Sequence, residues 1–319
     1  MKNYSKIFIT GGAGFIGSNL TDYLLEQNKR VTIVDNFSTG KYEFIEKAKK
    51  NKNFQCIEAD ILDYKNINKI IKGHDFVYHL AANADVRFGL QHPKKDLEQN
   101  TIATFNVLEA MRQNNIKNIA FSSTGSVYGE ADKIPTPENC SFPIQTSLYA
   151  ASKLACEGMI SAYSEGYDFR SWIFRFVGVL GERYTHGHLY DFYKKIKNDP
   201  NRLEILGDGK QKKSYIYIQD CINSMICAIE NSNEKINIFN LGCDEYVEVN
   251  DSVKTITDYL KVNPELTYTG GNKGWIGDNP FIYLDTRKIR NLGWKEKVSI
   301  NEGILKTIEW LDQNLWVYK

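Results

Sequence analysis

Tyr149 and Lys153 stand four residues apart in Tyr149-Ala150-Ala151-Ser152-Lys153, at the head of a run whose apolar residues recur with helical spacing. A helix there puts phenol and ammonium on one face. A free tyrosine titrates near pH ~10, too high for a base at neutral pH, and a nearby cation together with an oxidised nicotinamide lowers it. The pair is then a candidate proton acceptor for an alcohol that gives up hydride. Taken alone, the same spacing is that of an ordinary exposed helix pair. Hydride chemistry needs a dinucleotide, and Gly12-Ala13-Gly14-Phe15-Ile16-Gly17 fits G-x-G-x-x-G directly after an apolar run at 7–10. Glycines there permit a tight turn and a close backbone approach to a pyrophosphate, whose charge meets the free amides of a helix N-terminus. Asp35 follows the next apolar run, where an acid accepts from the adenosine ribose and repels a 2′-phosphate, which selects NAD over NADP. With Asn36 beside it, the alternative is a strand-end turn. Asp60 could reach the adenine or cap a helix.

Short apolar runs at 7–9, 31–34, 76–80 and 119–122 alternate with helical patterns at 16–27, 102–111 and 148–163. Such alternation predicts βαβ units and a parallel sheet, and apolar residues on both strand faces predict helices on each side. A β-rich run at 169–179 is expected to end that sheet. After Gly181 the texture changes to clusters such as Gly207-Asp208-Gly209, with helices expected at 189–198, 218–230 and 300–314. The chain reads as α/β. A Rossmann-type doubly wound parallel sheet is expected over 1–180 and a smaller mixed α/β substrate-binding region over 181–319, with the chain crossing between them.

A chain of 319 residues with 42% hydrophobic content can bury a large core, and its net charge of +1 gives no electrostatic case for nucleic acid or membrane surfaces. No apolar run is long enough to span a bilayer, and the start Met1-Lys2-Asn3-Tyr4-Ser5 lacks the pattern of a secretory signal. Six cysteines lie scattered without a Cys-x-x-Cys pair, which suits reduced thiols and a cytoplasmic home. His186-x-His188 has no third ligand at suitable spacing, so no metal site is expected and both read as surface or substrate-loop histidines. His79 reads as a packed strand-end residue, and Tyr215 and Tyr217 as core and pocket wall. Tyr190 and Phe192 fit either a nucleotide base or helix burial, and Arg183 and Lys194 either phosphate contact or solvated charge.

In order along the chain, Thr10-Gly11-Gly12-Ala13-Gly14-Phe15-Ile16-Gly17, His79-Leu80-Ala81-Ala82, Ser122-Ser123-Thr124-Gly125-Ser126-Val127-Tyr128-Gly129 and Tyr149 to Lys153 closely resemble the extended short-chain dehydrogenase/reductase family, over nearly the whole chain. The resemblance implies NAD as cofactor. It makes Thr124 the hydroxyl that bonds the reacting alcohol, Tyr149 the base, and Lys153 the group that orients the nicotinamide ribose and lowers the tyrosine pKa. Gly11, Gly14, Phe15, Ile16 and Gly17 would cradle the pyrophosphate, with Asp35, Asn36, Asp60 and Ile61 at the adenosine. Leu80, Ala81, Ala82, Asn100 and Ser122 would line or support the pocket. It also implies a homodimer built on the helices at 102–111 and 148–163, although burial within one subunit would give the same apolar pattern.

The segment from Leu206 to Asp220 resembles the nucleotide-sugar branch, with Lys213 where an arginine usually lies. A lysine still neutralises a pyrophosphate but lacks the bidentate fork. Arg183, His188 and Lys213, with Thr124, are the expected substrate contacts. Two departures stand out, Gly178 in place of an asparagine and Trp275 near the usual arginine. The 4,6-dehydratases place Asp-Glu after the threonine, whereas this chain has Gly125-Ser126, so C4 oxidation without dehydration is expected. Together with Glu182 to His188, the departures resemble a specialised subgroup of bacterial surface-polysaccharide enzymes that includes GDP-heptose 4-dehydrogenases of capsule pathways. Epimerisation, as in UDP-hexose 4-epimerases, and net dehydrogenation both remain open. A non-catalytic NAD-binding sensor or scaffold is the alternative of another class.

Overall fold

The computed structural model describes residues 4–83, 85–142, 144–275 and 277–318, so Met1, Lys2 and Asn3 of the start lie outside the described residues. Strands β1 (Lys6–Thr10), β2 (Arg30–Asp35), β3 (Phe54–Glu58), β4 (Phe76–His79), β5 (Asn118–Thr124) and β6 (Arg170–Phe176) follow the apolar runs, and each pairs in parallel with its neighbours. The shorter strands β7 (Gly178–Leu180), β8 (Arg202–Ile205), β9 (Lys212–Lys213) and β10 (Tyr215–Tyr217) come next. They precede β11 (Ile236–Leu241), β12 (Val247–Glu248), β13 (Glu265–Tyr268) and β14 (Phe281–Ile282). The main sheet has the order β11-β6-β5-β4-β1-β2-β3.

The run at 169–179 therefore does not end the sheet. β11, drawn from the second half of the chain, pairs with β6 from Ser171 to Phe176 and covers its edge. An uncovered β6 would leave a row of unpaired backbone groups beside Trp172, Ile173 and Phe174, all buried. One continuous hydrophobic cluster runs from Ile7 and Leu20 through Trp172 to Leu189, Tyr215 and Ile304, so both halves share a core.

Helices Phe15–Glu26, Ala103–Gln113 and Leu148–Tyr167 cover the sheet, and helices His188–Asn198, Ile218–Asn231, Val249–Leu260 and Ile300–Gln313 build the second half with the small sheets β7/β10, β12/β9/β14 and β8/β13. The helix expected from 102 is preceded by a wider π-helical turn at Leu97–Ile102, which carries Asn100. Strand order reverses between β1 and β4, so the carboxyl ends of β1, β2, β4 and β5 open on one crevice, where such folds bind ligands. Thr10, Asp35, His79 and Thr124 are the last residues of those four strands.

Candidate active site

The glycine turn is shaped by close contacts. Gly11 has φ of +70°, and a Cβ there would lie 2.7 Å from the Ala81 nitrogen, so β1 and the segment after β4 meet only because the side chain is absent. A Cβ on Gly17 would lie 2.1 Å from the Gly11 carbonyl oxygen. The helix from Phe15 begins at Gly14 without a side-chain cap and without an acid in its first turn. Its first amides thus meet the conditions of an anion site, and these residues fit a dinucleotide pyrophosphate.

Asp35 has two tasks. Its Oδ2 accepts from the Ala13 amide at 2.9 Å and its Oδ1 from the Phe37 amide at 2.9 Å. Burial raises its pKa, with those two amide bonds opposing the rise. Each oxygen keeps a further lone pair for a ribose hydroxyl. Asn36 is exposed and accepts from Ser38, which makes it a turn residue in this structure. Asp60 bonds the Leu62 amide at 2.9 Å in a local turn, and the N-cap of the following helix is Asp63, which accepts from Asn66. The capping alternative for Asp60 is thereby corrected, because the helix starts at Tyr64. Ile61 is buried beside this turn.

Leu80, Ala81 and Ala82 are partly buried beyond β4. Thr10 holds them through the Ala81 amide at 3.3 Å and also bonds His79 Nδ1 at 2.7 Å. His79 is the packed residue expected, fully buried, bonded also to Thr104, with its pKa pushed down to about 3 by burial and then by the Lys153 charge. Asn100, buried, accepts from the Asn83 amide at 2.9 Å and donates to Ser152 Oγ at 2.8 Å. It ties the loop after β4 to the helix of Tyr149.

That helix starts at Leu148 under the N-cap Ser147, whose hydroxyl accepts from the Ala150 amide. Lys153 is buried and donates 2.7 Å to the Ser122 carbonyl, beneath the end of β5. Burial lowers its pKa to about 8, and the nearby Cys156, Glu157 and Asp96 oppose the drop. Tyr149 is pushed up to about 12 by burial, partly offset by its hydrogen bond with Thr124. The Lys153 ammonium is turned to the Ser122 carbonyl.

Behind these groups lies a buried polar cluster that the sequence reading missed. Glu157, eight residues after Tyr149, forms an ion pair with Arg175 of β6 at 2.6 Å, with side chains 5% and 2% exposed, so neither charge is relieved by water. Ser123 donates to Glu157, and Arg175 also bonds the Tyr128 hydroxyl at 2.6 Å. The available signals were a third polar residue on the Tyr149 and Lys153 face, and a charge inside the apolar strand sequence RSWIFRF.

A cleft of about 570 Å³ lies against the second half of the chain. Its walls include His186, His188, Phe192 and Lys194, with Lys213, Trp275 and Asp278 opposite, and Asp85 to Arg87 at one side. Lys213 Nζ bonds Asp278 Oδ1 at 3.0 Å and the Asn279 carbonyl at 3.0 Å. Next to that wall, the segment leading into the helix of Tyr149 is tied down, because Thr146 Oγ1 donates to Asn279 Oδ1 at 3.1 Å. Arg183, expected as a substrate contact, is instead paired with Asp22 at 2.6 Å, on the helix that opens the chain, and does not line the cleft. Tyr190 also faces elsewhere, its hydroxyl on the Val317 carbonyl. Among the described residues no group of three or more His, Cys, Asp or Glu could hold a metal, and no helix is long and apolar enough to cross a membrane.

Residues 7–242 match the NAD dependent epimerase/dehydratase family. A solved UDP-galactose 4-epimerase is 36% identical with a TM-score of 0.88, the alignment covering 98% of this chain and 100% of that one. UDP-glucose 4-epimerase from Thermotoga maritima, solved with UDP-glucose, is 31% identical with a TM-score of 0.87 over 97% of this chain and 99% of its own. UDP-glucuronic acid 4-epimerase from Bacillus cereus, solved with UDP-glucuronic acid and NAD, is 28% identical with a TM-score of 0.88, covering 97% of this chain and 99% of that one.

Proposed function

This chain belongs to the NAD dependent epimerase/dehydratase family, and on that premise we propose that it oxidises the C4 hydroxyl of a nucleotide-linked sugar and returns the hydride to the other face, as a 4-epimerase. The observation that carries the reading is the placement of Tyr149, on the first turn of its helix, next to Thr124 at the carboxyl end of β5, beside a turn built for a dinucleotide. Bound NAD supplies the hydride acceptor and donor. Thr124 orients the sugar hydroxyl, Tyr149 takes its proton and later gives it back, and Lys153 carries the local positive charge. Hydride and proton leave C4–H and O–H together and return together, so the cycle is redox-neutral.

Dehydration is disfavoured on physical grounds. A Cβ at Gly125 would lie 2.8 Å from Ile282 Cγ2, so the acid that a dehydratase carries there has no room. The solved UDP-sugar 4-epimerases support a UDP-linked substrate. Gly178 and Trp275 support a second reading, in which the substrate is a GDP-heptose of surface-polysaccharide synthesis and the 4-keto product is released. We further propose that 1–180 hold NAD and 181–319 the nucleotide-sugar, and that the protein acts as a homodimer in the cytoplasm. Its six cysteines, all free, suit a reducing compartment.

Mass spectrometry of the purified protein with UDP-, GDP- and dTDP-sugars and heptoses, with and without α-keto acids as electron acceptors, separates the readings. An unchanged mass with altered stereochemistry is expected. A product lighter by about two mass units would establish the dehydrogenase, and no reaction with any sugar would favour the sensor or scaffold.

A further inference from the structure

His188 is the first residue of the helix His188–Asn198 and lines the cleft between Phe192 and Tyr215. The Tyr215 hydroxyl lies 2.7 Å from its Nδ1 and 3.1 Å from its Nε2. Tyr215 in turn occupies the space beside Gly178, its neighbour in the β7/β10 pairing. A Cβ built on Gly178 would lie 2.5 Å from both Cδ1 and Cε1 of that ring. Any larger residue at 178 would displace the tyrosine and with it the support of His188. The missing side chain at 178 and the histidine in the cleft are therefore one arrangement.

We infer that His188, held by Tyr215 in the space that Gly178 leaves, is a substrate-selecting residue that donates a ring N–H to an acceptor oxygen of the bound nucleotide-sugar. The inference rests on the nucleotide-sugar reading above. Burial and then the Lys213 charge push the His188 pKa down to about 3, so the ring is uncharged at working pH. An uncharged imidazole has one bare nitrogen and one N–H. Burial keeps the Tyr215 phenol protonated, so it donates to the nearer nitrogen, Nδ1, and Nε2 carries the N–H, 3.1 Å from the same phenol oxygen, for which an acceptor oxygen of the ligand competes. Lys213 is already engaged by Asp278, so His188 is a directional donor beside a cation that has its own partner. Tyr215 acts through His188 and is a positioning residue.

The test uses the NAD-loaded protein with UDP, GDP, UDP-glucose and GDP-mannose as probes, measured by calorimetry, and UDP-glucose turnover. Loss of a hydrogen bond to a charged or strongly polar oxygen costs about 1.5–3 kcal/mol, or roughly 10- to 100-fold in affinity. His188→Leu should weaken binding by that factor with kcat within about twofold, His188→Asn should restore part of it, and Tyr215→Phe should move KM in the same direction by less. Equal losses for the free nucleotides and their sugar conjugates place the acceptor on phosphate. A loss confined to the conjugates places it on the sugar. Either pattern supports the inference. Wild-type affinity in all three variants overturns it while leaving the 4-epimerase reading intact, and failure of the wild type to bind any probe overturns both. Should His188→Leu not fold, side-chain ¹⁵N spectra of the wild type decide. The His188 N–H resonance should shift on saturation with UDP or UDP-glucose, and an unmoved resonance refutes the contact.

Discussion

Tyr149 and Asp35 are predicted to fail in different ways when altered. Tyr149→Phe removes the proton acceptor and leaves packing intact, so kcat should fall roughly 10²- to 10⁴-fold with NAD affinity unchanged. Asp35→Ala removes the ribose acceptor and strands the Ala13 amide, so the NAD dissociation constant should rise roughly 10- to 100-fold while kcat at saturating NAD changes little. Calorimetric NAD titration beside steady-state kinetics separates the two, and equal damage from both would undercut the roles. Lys153 gives a pH signature. Its ammonium falls from 10.5 to about 8 on folding, so between those values the unfolded chain holds a proton that the folded chain has released. Stability then rises with pH across that window and is lost as pH falls through the lower value. In the NAD-free protein, the urea-midpoint advantage of wild type over Lys153→Met should grow from pH 8 to 10.5. The gain is at most a few kcal/mol, and a flat or reversed trend would remove the assignment.

At the scale of elements, the ends of β1, β2, β4 and β5 and the helix of Tyr149 were readable because apolar period, glycine spacing and cap chemistry are local signals. What needed the fold were pairings between distant segments. Arg183 finds Asp22, 161 positions away, and no local pattern distinguishes that partner from a phosphate. Asp60 and Asp63 both precede an apolar-periodic stretch, and only the true helix start decides which one caps. The Glu157–Arg175 pair was hidden for the same reason, although it ties the catalytic helix to β6. Breaking such a buried pair by Glu157→Ala leaves an unpaired guanidinium and should cost about 3–5 kcal/mol of stability, seen as a lowered urea midpoint. Gly125→Asp, which introduces the dehydratase residue, should cost about 1–3 kcal/mol through its collision with Ile282 and yield no dehydrated product. Thermal melting and mass spectrometry check both parts.

For the whole molecule, the proposed homodimer makes a sharp demand on the two helices flanking the site. Ile102 is 41% exposed, Phe105 46% and Leu148 44%, more apolar surface than a lone subunit gains from showing. Phe105→Asp should convert a dimer to a monomer in analytical ultracentrifugation, and an unchanged sedimentation coefficient would locate the interface elsewhere. The sheet carries another consequence, through β11. During synthesis the edge of β6 stays bare until Leu241 has cleared the ribosome, although everything needed for the glycine turn, Tyr149 and Lys153 has already emerged. The nascent chain must therefore hold a nearly complete cofactor-binding half with one open, apolar edge, the condition in which strands pair with the wrong neighbour. Early occupation of that half by NAD would shield the nascent chain, and termination anywhere between β6 and β11 would leave a fragment prone to aggregate.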